Sequence, residues 1–247
     1  MRSALLDLVA GATCPGCGAP GHLPCPDCRS HLVGNVRSVR PSPAPPGLAP
    51  VFAAGEYAGT LRSLLLGHKE RQQFGLASLL GELLGDAVLA LCLEHGVPVA
   101  DVALVPAPSQ PSSSRSRGHD PTLRIARAAG RRWGMPVAPV LRVARVRDQG
   151  GLDRNDRWAN LAGAMSVQPR RSRRLARGLG TNAWVVVCDD VLTTGATARE
   201  AQRALTDAGW TVLGVATVAA TRLRRRPSPD RRRSEGAAAL EKRGPVD

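Results

Sequence analysis

The chain has 247 residues, 43% of them hydrophobic, and a formal net charge of +14 at neutral pH. That is enough for one medium domain with small appendages. Its basic residues are almost all arginine, with lysine only at positions 69 and 242, and they crowd into 170–177 and 222–233. Runs of this kind read first as solvated or disordered segments, and a nucleic-acid footprint is the alternative. No run reaches the roughly eighteen apolar residues of a membrane span.

Residues 1–12 are apolar but interrupted by Asp7, so they read as a short amphipathic helix rather than a signal peptide. Two Cys-x-x-Cys knuckles follow, Cys14–Cys17 and Cys25–Cys28. Four soft thiolates can close a tetrahedron around Zn²⁺, and the metal lets so short a segment fold. Structural zinc on Cys14, Cys17, Cys25 and Cys28 is therefore expected, a redox pair being the alternative, with His22 or His31 as candidate replacement ligands. Six cysteines without a secretion signal point to a reducing compartment, hence the cytoplasm.

The expected organisation is a zinc-binding module over 1–35, a proline-rich linker over 36–50, a main domain over 51–221 and a disordered basic tail over 222–247. The main domain opens with a strand over 51–57, and Leu61, Leu64 and Leu65 start a helix ending near His68 and Lys69. A long amphipathic helix follows from Leu76 to Leu91, with Cys92 near its apolar face. Residues 102–105 read as a strand that ends in Pro106-Ala107-Pro108 and a polar loop carrying Arg115, Arg117, Gly118, His119 and Asp120. Asp120 is placed to cap a helix with Pro121 at its first position, burying Leu123, Ala126, Gly130 and Trp133. An edge strand over 137–140, a short helix over 154–160, a weak strand over 165–167 and an arginine-rich loop over 169–182 complete the middle of the chain. Strands over 185–188 and 212–218 close it. Strands alternating with helices imply an α/β fold with a mostly parallel sheet.

The stretch from Val185 to Thr197 carries the chemistry. An apolar, β-branched strand delivers Asp189 and Asp190 to its carboxyl end, where open α/β sheets place their ligands. A Thr/Gly loop then opens a helix, with Thr197 and Glu200 spaced as a capping box, Ala201, Leu205 and Ala208 on one face, and Gly209 at the end. Backbone N–H groups at such a helix start suit a phosphate. Two acids beside an anion pocket suit hydroxyls or a divalent cation, so a sugar phosphate with a vicinal diol fits both halves.

This order, apolar strand, Asp-Asp, two apolar residues and Thr-Thr-Gly-x-Thr, resembles the 5-phosphoribosyl-1-pyrophosphate (PRPP) signature of type I phosphoribosyltransferases. Together with the four-Cys module and the proline-rich segment, the chain resembles the ComF family, named for bacterial competence for DNA uptake. Tyr57 with Lys69, Val105-Pro106-Ala107-Pro108, Arg115-x-Arg117-Gly118, Gln149-x-Gly151-Leu152 and Asn160-Leu161-x-Gly163 fit the same pattern over about 14–221. Gly118-His119-Asp120 and Ser112-Ser113-Ser114 depart from it.

The resemblance implies that Asp189 and Asp190 hold the ribose hydroxyls and serve catalysis, Asp189 facing the developing charge. It implies that Thr193, Thr194, Gly195, Ala196 and Thr197 hold the 5′-phosphate. Lys69, Arg115 and Arg117 are the implied pyrophosphate contacts, Mg²⁺ the companion ion, and 145–157 the loop over the site. His119 reads as a turn residue. The implied activity is phosphoribosyl transfer to an unknown acceptor. The alternatives are a non-catalytic PRPP-binding regulator, or a competence factor associating with single-stranded DNA or a helicase partner. An aromatic content of 3% leaves few stacking platforms for the last.

Overall fold

The computed structural model describes residues 13–21, 24–108, 120–143, 163–179 and 183–221. After the first Cys knuckle come a one-turn helix α1 (Pro26–Ser30), a short strand β1 (Arg37–Ser38), β2 (Val51–Glu56), α2 (Gly59–Glu70) and the long helix α3 (Ala77–His95). Next are β3 (Val102–Pro106), α4 (Pro121–Trp133) and two three-residue strands, β4 (Leu141–Val143) and β5 (Met165–Val167). The chain then runs through α5 (Pro169–Gly178), β6 (Trp184–Leu192), α6 (Ala196–Asp207) and β7 (Thr211–Ala220).

The central sheet has the order β1-β2-β7-β6-β3. Its four main strands run parallel, and β1 is antiparallel on the edge beside β2. β4 and β5 form a separate antiparallel pair. Both faces of the main sheet are covered, as a parallel sheet requires. The alternation of side chains divides its residues between two cores. Val186, Cys188, Val102, Leu104 and Phe52 face α2, α3 and α4; Val185, Val187, Ala103, Val105 and Val51 face α6 and the β4–β5 pair. This is a mixed α/β architecture with a mostly parallel sheet between helical layers.

The stretch Phe74–His95 is long and apolar enough to cross a membrane by composition, but 67% of its window is buried inside the protein. It is a core helix. Cys92 lies in that core, 2% exposed. Gly81 and Gly85 let α4 come close: a Cβ on Gly81 would sit 2.7 Å from the Ala129 amide nitrogen, and one on Gly85 would meet the Trp133 indole.

Several expectations are corrected. Residues 137–140 form no strand; Val137 makes an isolated bridge to Leu104, and the strand comes later, at β4. The buried side of α4 is Ile125, Ala126, Ala129 and Gly130, with Leu123 and Trp133 half-buried. Residues 169–178 are a helix rather than an arginine-rich loop. Ala208 is exposed, and α6 buries Ala198, Ala201, Ala204 and Leu205 instead. The helix over 154–160 and the tail over 222–247 lie outside the described residues.

The proline-rich segment makes β1 and then lies along α6. Arg199 Nε donates to the Pro46 carbonyl at 2.8 Å. The Gln202 amide donates to the Gly47 carbonyl at 3.1 Å and accepts from the Ala49 N–H at 2.9 Å. Read from sequence as a spacer, this segment is strapped down at both its ends.

Candidate functional site: a four-cysteine centre and a paired-acid loop

The four knuckle cysteines converge. Their sulfurs all lie within 4.8 Å of one another. Local chain turns account for it. Cys14 donates its N–H to the Ala19 carbonyl and accepts from Gly18, whose φ of 78° permits the tight turn. Cys25 caps α1, its sulfur accepting from the Cys28 N–H at 3.5 Å, and its own N–H points at the Cys14 sulfur at 3.4 Å. Cys17 and Cys25 sulfurs are 3.6 Å apart. A tetrahedral Zn–S bond of about 2.3 Å places sulfurs about 3.8 Å apart, so the cluster fits zinc.

The electrostatics agree. Burial opposes charge on Cys14, but backbone N–H groups of Cys25, Cys17 and Gly16 outweigh it and bring the thiol down to about 6. Cys28 is pushed up to about 12, chiefly by its bond with Cys25 and by burial. Without a cation, one thiolate suppresses ionisation of its neighbour; a divalent metal relieves that repulsion. His31 bonds through Nδ1 to the Asp27 carbonyl at 2.6 Å and is not one of the clustered ligands. His22 lies outside the described residues.

The module is docked on the main domain. Leu32 joins the core formed with Phe52, Leu64 and Leu80, and Arg29 pairs with Glu82 of α3 at 2.5 Å. Gly16 approaches α2 so closely that a Cβ there would lie 2.7 Å from Thr60.

The second centre forms because two strands end at different heights. β3 stops pairing at Pro106, opposite Cys188, whereas β7 continues beside β6 to Leu192. Asp189 and Asp190 therefore belong to the strand and stand on its open side above β3. Asp190 is buried and Asp189 half-buried. Lys69 Nζ, from the last turn of α2, donates to Asp190 Oδ2 at 2.8 Å. The Asp190 N–H donates to the Asp189 carboxylate at 2.9 Å. Desolvation, then the neighbouring Asp190 charge, push Asp189 up to about 8, against that N–H and Lys69. At neutral pH Asp189 therefore tends to keep its proton. A cation or a hydroxyl donor brought to the pair would displace it.

Beyond Leu192, Thr193 is exposed and Thr194 half-buried, its hydroxyl accepting from the Ala196 N–H at 3.4 Å. Gly195 turns the chain with φ 77° into α6, whose N-terminal cap makes no side-chain hydrogen bond. Its back wall is the proline-rich strap: a Cβ on Gly195 would lie 3.1 Å from Leu48 and Pro41 and 3.3 Å from Pro45. The expected Thr197–Glu200 capping box is absent. Glu200 turns inward, 5% exposed, and accepts from the Met165 N–H at 2.9 Å. Arg203 donates to both oxygens of Glu200 and to the Met165 carbonyl, so one ion pair grips both sides of a β5 residue. Arg203 and the Met165 N–H hold Glu200 below the usual carboxylate range despite its burial.

The structure thus brings Asp189, Asp190 and the 193–197 loop to one end of the sheet and joins Lys69 to them. Arg115, Arg117, His119 and the 145–157 loop lie outside the described residues. Thr217 escaped the sequence reading. It stands in register with Asp189, fully buried, and its hydroxyl has no hydrogen-bond partner among the described residues. A lone threonine within the apolar run from Val212 to Ala220 was the available signal.

A scan against protein-family models finds no match to this sequence, and a search of curated proteins finds none either.

Proposed function

We propose that the chain binds 5-phosphoribosyl-1-pyrophosphate at the Asp189–Asp190 loop, as a ComF-like member of the type I phosphoribosyltransferase fold with an N-terminal structural zinc module. The observation that supports it is the juxtaposition of the acid pair, with Lys69 on Asp190, and a helix N-terminus reached through Thr193, Thr194 and Gly195, whose cap residue has no side chain to fill it. The first-turn N–H groups of α6 and the threonine hydroxyls take the 5′-phosphate. Asp189 and Asp190 accept from the ribose 2′- and 3′-hydroxyls, and Lys69 adds positive charge toward the pyrophosphate. Mg²⁺, bound with the substrate's oxygens, supplies neutralisation of the leaving pyrophosphate. The carboxylate oxygens of the pair are hard donors of the kind Mg²⁺ takes, so the residues present fit it.

Binding and transfer are separate steps. For transfer, the C1–O bond to pyrophosphate breaks with its electron pair leaving on oxygen, and an acceptor nucleophile supplies the new bond to C1. Asp189 stabilises the positive charge that develops on the ribose between those events. A PRPP-responsive regulator would use the same residues without the second step.

Calorimetry with PRPP and Mg²⁺ tests binding, on the wild-type chain and on Asp189→Ala with Asp190→Ala. The wild type should bind and the double variant should not. Because Asp189 sits at about 8, binding at neutral pH should release protons, seen as a heat that varies with the buffer's ionisation enthalpy. No binding by the wild-type chain sinks the reading. Pyrophosphate release across candidate acceptors then separates enzyme from regulator.

A further inference from the structure

Helix α5 carries five arginines and no acid in ten residues. Arg170, Arg173, Arg174 and Arg177 are spaced i, i+3, i+4, i+7, which places them on one helical face. All four are exposed. Among the described residues none of their side chains makes an ion pair or hydrogen bond, whereas that of Arg171, off that face, donates to the Pro139 carbonyl at 2.8 Å.

The opposite side of the helix is pinned. Leu175 is buried in the core beneath α6, and the Ser172 hydroxyl accepts from the Trp210 indole N–H at 3.0 Å. The rotational setting of α5 is therefore held by the fold, and the arginine stripe faces solvent. Like charges at these spacings repel one another, so the stripe is a face that gains from an anion with repeated charges.

We propose that this face of α5 is a docking surface for the phosphate backbone of nucleic acid, independent of the ribose-phosphate reading above. The stripe from Arg170 to Arg177 extends about 10 Å along the helix, long enough to meet successive phosphates. Planar guanidinium groups bond phosphate oxygens in a bidentate fashion that lysine does not match. An anionic membrane is the poorer partner. Leu175, the one large apolar residue of α5, is already buried in the protein, which leaves only the small side chains of Pro169 and Ala176 to meet acyl chains. A contact made to phosphate oxygens alone carries no sequence information, so the docking is independent of sequence.

The test uses the full chain and short labelled oligonucleotides, as DNA and RNA single strands of several sequences and as duplex DNA. Affinity is followed by fluorescence anisotropy against salt concentration. The wild type is compared with a variant carrying Arg→Ala at 170, 173, 174 and 177, and with Arg→Lys at the same four positions. Each phosphate contact contributes about 0.7–0.9 to the slope of log affinity against log salt, so the alanine variant should lose about three units of slope. Its affinity should fall at least about tenfold at moderate salt, while the lysine variant keeps its slope. Single changes such as Arg173→Ala, each lowering the slope by about one, give the same answer if the quadruple variant folds poorly. Zinc content and circular dichroism report folding. Unchanged slope and affinity in the alanine variant overturn the proposal. So do a strong preference for one base sequence, or binding to phosphatidylserine vesicles with none to oligonucleotides.

Discussion

Cys14, Cys17, Cys25 and Cys28 gather within one short stretch of chain, whereas Asp190 meets Lys69 across 121 positions of sequence. The sulfur cluster is shaped by its own turns, a positive-φ glycine and a one-turn helix, and its four sulfurs lie close enough to hold one metal ion. The acid pair is shaped by strands that end at different heights and by a lysine delivered from a distant helix. A locally made centre should fail locally when its ligand goes; a centre made by tertiary packing should register changes far from it.

Metal removal should give the largest effect. Cys14→Ser, or a strong chelator, should reduce zinc from one per chain to near none and open residues 13–35 to proteolysis. Structural zinc in small modules is worth about 10 kcal/mol or more. Metal analysis and limited digestion read this. Retention of metal and protection would break the comparison from its first side.

The paired-acid region should answer to Glu200, a residue outside the motif itself. Glu200→Ala leaves the Met165 N–H without its acceptor and Arg203 with only Asp207 and the Met165 carbonyl. The cost should be about 2 kcal/mol, discounted because Arg203 is a third exposed. The Glu200 carboxyl is held below its unfolded value. Its contribution is therefore present above that unfolded value and lost as pH falls through the lower folded one. Denaturant midpoints at neutral and acidic pH should show the wild-type advantage over Glu200→Gln shrinking in acid.

Asp189 runs the other way. Its folded value of about 8 lies above the unfolded one, so the folded chain binds the extra proton and loses stability as pH rises from about 4 toward about 8. Asp189→Asn removes that dependence. It should raise the melting temperature at pH 8 by about 2–4 °C, and by less at pH 5, a degree scale that matches about 1 kcal/mol for this size. A gain that is larger at pH 5 would contradict the assignment. The smallest effect belongs to Arg29→Ala. That exposed pair with Glu82 should contribute under about 0.5 kcal/mol by denaturation.

What was legible in the sequence follows the same division. The cysteine knuckles, the Asp120 cap with Pro121 and the Asp-Asp strand are local patterns, and local physics suffices for them. The Asp120 side chain does accept from the Leu123 N–H, at 3.0 Å. Thr197 and Glu200 have the spacing of a capping box, yet the Met165 N–H, 35 residues away, took the carboxylate. Tertiary contacts override such patterns, and nothing near position 200 announces them. Helix α5 was misread because a run of arginines looks solvated. Arginine is a good helix former, and Pro169 at the first turn and a single buried leucine were enough to order it. The Lys69–Asp190 bond needed the fold itself.

The strap along α6 has a consequence for how this protein can be taken apart. A cut before Val51 looks like a clean domain boundary, but Pro41, Pro45 and Leu48 would go with the discarded piece. Arg199 and Gln202 would lose the peptide groups they hold. The shortened chain would keep every residue of the acid pair and its Thr/Gly loop and still lack the surface against which Gly195 is seated. For this molecule the segment before Val51 is part of the pocket's foundation.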